Sequence, residues 1–191
     1  MKWPVPFFVA YILLALEAPM REFIRIGTVS PSLVFPFVVF VALLASSNAA
    51  MWTALLVGAA VDVTTTRATT GAPIVIVGPH ALGYVAAAYM ILTLRPMVMR
   101  KNPITLVALS IVGAGLSAIV VVSVLAIRQM IFRGSWADGL GGSLFRDLWQ
   151  RWLDACYTGA AAIVLSGIFL PLTPWFGFQD PSVRRPFSRR Y

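Results

Sequence analysis

The sequence predicts an all-α integral membrane protein: a six-helix transmembrane bundle with a broken fourth helix and a short interfacial helix before the sixth. Three observations lead there. Of the 191 residues, 59% are hydrophobic and 12% charged, whereas ordinary globular chains run near roughly 45–50% apolar and 25% charged. The apolar residues fall into six segments separated by polar breaks. The charges gather in those breaks, as they do around membrane spans. A mean hydropathy of +0.85 agrees. A soluble domain of this length could not hide so much apolar surface, so lipid is the expected solvent.

The first segment covers residues 3–19 and carries Glu17 near its far end. It lacks a small-residue cleavage site and its basic region is Lys2 alone, so it reads as an uncleaved span. Arg21, Glu22 and Arg25 follow, interleaved with Phe23, Ile24 and Ile26. That spacing fits an interfacial amphipathic turn or a solvated loop with paired charges. The second segment, 31–46, opens on Pro31 as helices often do, and holds Pro36 early. Ser46, Ser47 and Asn48 make a short turn, which predicts antiparallel packing with the third segment, 49–63. The third segment ends on Asp62, and the Thr-rich break after it contains Arg67 and Gly71.

The fourth segment spans 73–94, with Gly78 and Pro79 near its start predicting a break into a re-entrant piece and a main helix. The fifth, 104–127, is the longest and contains no charge. Residues 128–152 then change composition, with four glycines, mixed charges and Trp136, Trp149 and Trp152. Within them, 143–152 has apolar residues at helical spacing, which predicts a short helix in the interface. The sixth segment is 153–172, with Asp154 in its first turn, where an acid suits a helix N-terminus. Residues 1–173 read as one transmembrane domain and 174–191 as a basic cytoplasmic tail.

Six spans place both termini on one side. With the N-terminus inside, that side holds eight of the fifteen Lys and Arg and one acid. The other side holds seven with six acids. Dense basic clusters at 95–101 and in the tail favour N-in and C-in. The tail is also suited to anionic lipid heads. The net charge of +8 therefore reads as span flanking, with no nucleic acid implied.

Asp62 is the strongest chemical signal, because a carboxylate near hydrocarbon is costly and faces protein or water. It reads either as an ion, proton or partner site, or as a cap on the Thr64–Thr66 turn or a partner of Arg67. Ala54 and Gly58 share its helix face and let a neighbouring helix approach closely. Gly113 with Ser117, and Ala114 with Ala118, make a second small face on the fifth segment. His80 is the only histidine and is expected to bond to a neighbouring helix or to the Asp62 region. One histidine and scattered acids give no metal site, and no cofactor motif occurs. The single cysteine, Cys156, reads as filler and excludes an intramolecular disulfide. No nucleophile with a base partner and no catalytic carboxylate pair is placed, so an enzyme is not expected.

Pro31 and Leu33, then Gly58 and Asp62, Gly71, and Gly78, His80, Ala81 and Leu82 followed by Gly83 and Tyr84 form a recognisable series. The series resembles the rod shape-determining MreD family of the bacterial inner membrane, most closely over residues 31–100. The resemblance implies a scaffold role in the cell-elongation complex that guides lateral peptidoglycan synthesis. The implied partner is an MreC-like single-span protein, with actin-like MreB and the elongation synthase in the wider complex. The family is also similar in fold to substrate-binding membrane subunits of energy-coupling-factor transporters, which implies a vitamin-type small-ligand binder as the alternative. Structural or partner-binding candidates are Gly58, Asp62, Arg67, Gly71, His80, Trp149 and Trp152. The Trp-rich face of 128–152 is where a partner's extracytoplasmic part is expected to touch.

Overall fold

The computed structural model describes residues 4–68, 73–75, 77–99, 102–133 and 143–177. Among them are six α-helices: α1 (Pro4–Ile24), α2 (Val34–Leu44), α3 (Ser47–Thr64), α4 (Pro79–Leu94), α5 (Pro103–Arg133) and α6 (Ser143–Leu172). A short antiparallel hairpin, β1 (Thr66–Ala68) and β2 (Pro73–Val75), joins α3 to α4. A 3-10 turn, Thr173–Phe176, closes α6.

The bundle is built around α2. Its sequence, VFPFVVFVALL, has no polar face, and a helix apolar all round belongs inside. Every residue from Val34 to Leu43 is buried, and α2 touches all five other helices. Pro36 is the third helical residue, where a missing N–H breaks no intrahelical bond. Phe37 and Phe40 pack against Phe169 of α6 and Phe176 of the closing turn, with ring centroids 5.3–6.4 Å apart. At the far end of α2 the Arg95 guanidinium donates to the carbonyls of Ala45, at 2.5 Å, and Leu44, at 3.3 Å. Those carbonyls lie where a helix end lacks partners of its own.

Several expected boundaries change. The first helix runs through Pro19 to Ile24. Pro19 removes one backbone bond, while the Arg21–Glu17 pair, 2.7 Å apart, straddles it. The second helix has 11 residues, about 16 Å of rise, well short of a bilayer core. Residues 73–75 of the expected fourth segment form a strand, because they pair with Thr66–Ala68. The helix itself starts at Pro79, so the fourth helix is unbroken. The expected interfacial helix and the sixth span are one continuous helix of 30 residues.

Two segments, Pro103–Arg128 and Leu148–Phe176, are each long and apolar enough to cross a membrane. Pro4–Glu17, Val34–Leu44 and Pro79–Leu94 are apolar but shorter. Glycines bring the helices close. A Cβ on Gly83 of α4 would stand 2.5 Å from the Ser117 hydroxyl of α5. Gly113 instead meets the Phe35 ring, so the small face expected on the fifth segment is shared between α4 and α2. The basic tail lies outside the described residues, apart from its first positions.

Candidate functional site

The site forms where α3 ends and α4 begins. Gly78 precedes α4 with φ +129°, a conformation open to glycine, and Pro79 opens the helix. Neither can cap the helix with a side chain. The cap comes from α3. Oδ2 of Asp62 accepts the N–H groups of Gly78, at 2.8 Å, and Ala81, at 3.1 Å. Its Oδ1 accepts the N–H of His80, at 3.1 Å, and lies 2.7 Å from His80 Nδ1. The carboxylate thus gathers every free N–H of the first turn, since Pro79 has none and Leu82 bonds to Gly78 O. A carboxylate facing only donors is an ionised acceptor, which assigns the proton of this contact to Nδ1 of His80. Its negative charge also meets the positive end of α4.

Gly58 makes this reach possible. It lies one turn before Asp62 on the same face of α3. A Cβ there would stand 2.6 Å from Ala81 Cα and 2.8 Å from His80 O. The α3 and α4 backbones meet at this point, and Ala54, Gly58 and Asp62 are all buried. Asp62 turns to α4 and away from the Thr64–Thr66 turn, where the Thr64 and Thr65 hydroxyls donate to Val61 O instead. Arg67 occupies the middle of β1 opposite Ile74. Gly71 lies outside the described residues.

A second buried acid repeats the device, and sequence reasoning had passed over it. Glu17 of α1 is 6% exposed. Its Oε2 accepts the N–H of Val34, the first residue of α2, at 3.2 Å. Its Oε1 accepts from Arg21 Nη2 and from the Ser32 hydroxyl. The loop between α1 and α2 is latched to α6 as well. Asp154 Oδ1 accepts the N–H of Ser30 at 2.9 Å, and Thr158 Oγ1 that of Ser32 at 3.0 Å. Tyr157 donates its hydroxyl to Ile24 O at 2.8 Å. Asp154 therefore stands three turns inside α6 and serves this loop, not the N-terminus of its own helix. The one available signal was the Glu17–Arg21 spacing of four residues.

These groups surround a polar cavity of about 380 Å³, lined by Glu17, Arg21, His80, Tyr84, Ser117 and Asp154 among others. Trp152 lies over Gly115 of α5, 3.1 Å from where a Cβ would stand, and Trp149 is exposed. The structure thus brings Gly58, Asp62 and His80 together and leaves Trp149 and Trp152 on a separate face. Among the described residues, no three of His, Cys, Asp and Glu come together as metal ligands.

Buried acids seal neighbouring helix ends inside a bundle of apolar helices, a helical architecture suited to lipid. The family model of the rod shape-determining protein MreD matches residues 1–172. The chain belongs to that family, whose members are inner-membrane proteins of the rod-shape system. Comparison with curated proteins and with solved structures returns no match.

Proposed function

We propose that the protein is a membrane scaffold subunit of the cell-elongation complex, binding an MreC-like single-span partner and helping guide lateral peptidoglycan synthesis. The family match over residues 1–172 is the observation that carries this reading. The geometry is in keeping with it, because the polar groups around Asp62 and Glu17 are spent on joining helices. Actin-like MreB and the elongation synthase belong to the wider complex. The chain lies in the inner membrane as a multi-pass protein, N-in and C-in, with the Asp62 cap and its cavity toward the outer side. Residues 1–173 form the membrane domain, and the basic tail, 174–191, meets anionic lipid heads.

In this reading Gly58, Asp62 and His80 set the angle between α3 and α4, and Arg67 stands in the hairpin that joins them. Trp149 and Trp152 present an apolar face for the partner's extracytoplasmic part. Cross-linking in native membranes followed by purification tests it. A photoreactive residue at Trp149 is expected to trap a single-span coiled-coil protein, and depletion of the chain to round the cells. Normal rod shape after depletion, with no such partner trapped from several positions, would overturn the proposal.

A further inference from the structure

Two short helices, α3 and α4, pack side by side in the bundle. Between the exposed turn at Ser46, Ser47 and Asn48 and the exposed Thr64, α3 offers lipid an apolar stretch of about 22 Å, Ala49 to Val63. Its one acid, Asp62, is buried against α4. The neighbouring α4 runs for 16 residues from Pro79 to Leu94, about 24 Å. Leu56 and Val63 of α3, with Leu82 and Tyr89 of α4, are among their exposed apolar side chains. The hydrocarbon core of a bilayer is about 30 Å thick, so each helix falls about 6–8 Å short of it.

Three features keep the deficit from being made good. Tilting only shortens the reach of a helix across the membrane. Sliding one helix along the other is blocked by a polar clasp at each end. Asp62 of α3 holds the first turn of α4, and Arg95, just past α4, holds the Ala45 carbonyl in the turn before α3. The hairpin cannot serve as more span either. A two-stranded sheet has two open edges, whose N–H and C=O groups hydrocarbon leaves unsatisfied. The charged Arg67 also stands in the middle of β1. By contrast, Pro103–Arg128 of α5 is apolar for about 39 Å, and a long helix meets a thinner bilayer by tilting. We propose that the α3–α4 face holds a thinned strip of bilayer, about 22–24 Å across its hydrocarbon, and gathers shorter-chain phospholipids there. The inference rests on the multi-pass reading given above and is independent of the scaffold role.

The test uses the full chain in phosphatidylcholine bilayers whose monounsaturated chains run from about 14 to about 22 carbons. In a Cys156→Ala background, one nitroxide at a time is placed on Leu56→Cys, Val63→Cys or Ile127→Cys. All three positions are exposed, so the labels need no repacking. A water-soluble nickel chelate reports which labels meet water. The Leu56 label, midway along α3, is expected to be shielded in every bilayer. Free access there would overturn the multi-pass reading, and this inference with it. Contact at the Val63 label is expected to change by less than about twofold across the series, because the bilayer boundary follows the end of α3. Contact at the Ile127 label, near the end of the long α5 stretch, is expected to fall severalfold as the chains lengthen. The thermal midpoint of the unsubstituted chain is expected to be highest in the shortest chains and to fall as they lengthen. With Leu56 shielded, an equal response of the Val63 and Ile127 labels would overturn the inference alone. So would a midpoint that rises with chain length.

Discussion

Replacing Asp62 by Asn changes one atom and tests the cap directly. One carboxylate oxygen serves Gly78 and Ala81, the other serves the N–H and the ring of His80. An amide keeps a single acceptor oxygen and turns an NH₂ toward the other pair of donors. Placed toward Gly78 and Ala81, that NH₂ orphans two backbone N–H groups. Placed toward His80, it orphans one, because the imidazole can move its proton to Nε2 and accept from the amide. The second orientation is cheaper and is the one expected. A buried N–H without an acceptor costs about 1–3 kcal/mol, and the two retained bonds lose their charge assistance, about 1 kcal/mol each. The sum is about 3–5 kcal/mol, a large fraction of a typical stability. Asp62→Ala should be worse, since it leaves all of the donors unanswered. Reversible unfolding in mixed micelles, followed by far-ultraviolet circular dichroism, measures both. Arg67→Gln, placed on the hairpin, should cost less than either. An Asn variant within about 0.5 kcal/mol of wild type, the range of an ordinary surface change, would refute the capping role.

Gly58→Ala is expected to force α3 and α4 apart, because its Cβ would meet backbone atoms at 2.6 and 2.8 Å. Overpacking of this kind costs about 1–3 kcal/mol, and the same unfolding assay should show a further loss as the Asp62 bonds lengthen. Arg95→Met removes both donors from the end of α2. It should cost about 1–3 kcal/mol, the penalty for unsatisfied buried carbonyls, and amide exchange should rise first in α2. Gly78→Ala puts a side chain at φ +129° and should cost about 1–3 kcal/mol in backbone strain, read as a lowered thermal midpoint.

The six helical segments were legible because each is an apolar run ended by charge, Pro or Gly or, between the second and third, by Ser46, Ser47 and Asn48. Their lengths were not. At Leu153 the composition passes from amphipathic to apolar, and the sequence invites a boundary there. Nothing at that point interrupts the backbone ladder, so α6 runs straight through from Ser143. The opposite error occurred at Pro73–Val75, where apolar and β-branched residues looked like the opening of a span. Pairing with Thr66–Ala68 made them a strand, a tertiary choice that composition does not record. Asp62 stood out because an acid sits among small residues. Its match with His80 and the α4 N-terminus was open among several readings, since Arg67 and the threonines are nearer in the chain. Glu17 was less visible still. It looks like a charge at the end of a span, and the N–H it seals belongs to Val34, seventeen residues on. Capping by a side chain of another helix leaves no local pattern to read.

The two acidic caps share a direction. Glu17 precedes α2 in the chain and Asp62 precedes α4, so a ribosome delivers each acceptor before the donors it will satisfy. When α2 or α4 packs into the bundle, the group that neutralises its polar end is already there. The opposite end of α2 has no such advantage. Its carbonyls wait for Arg95, fifty residues later, so the central helix stays open at one end until α4 has been made. A nascent chain halted before Arg95 would hold a helix with one sealed end and one polar end in need of water, lipid headgroups or a chaperone. The order of synthesis thus divides the bundle into a first pair that can settle early and a core that closes only when the fourth helix arrives.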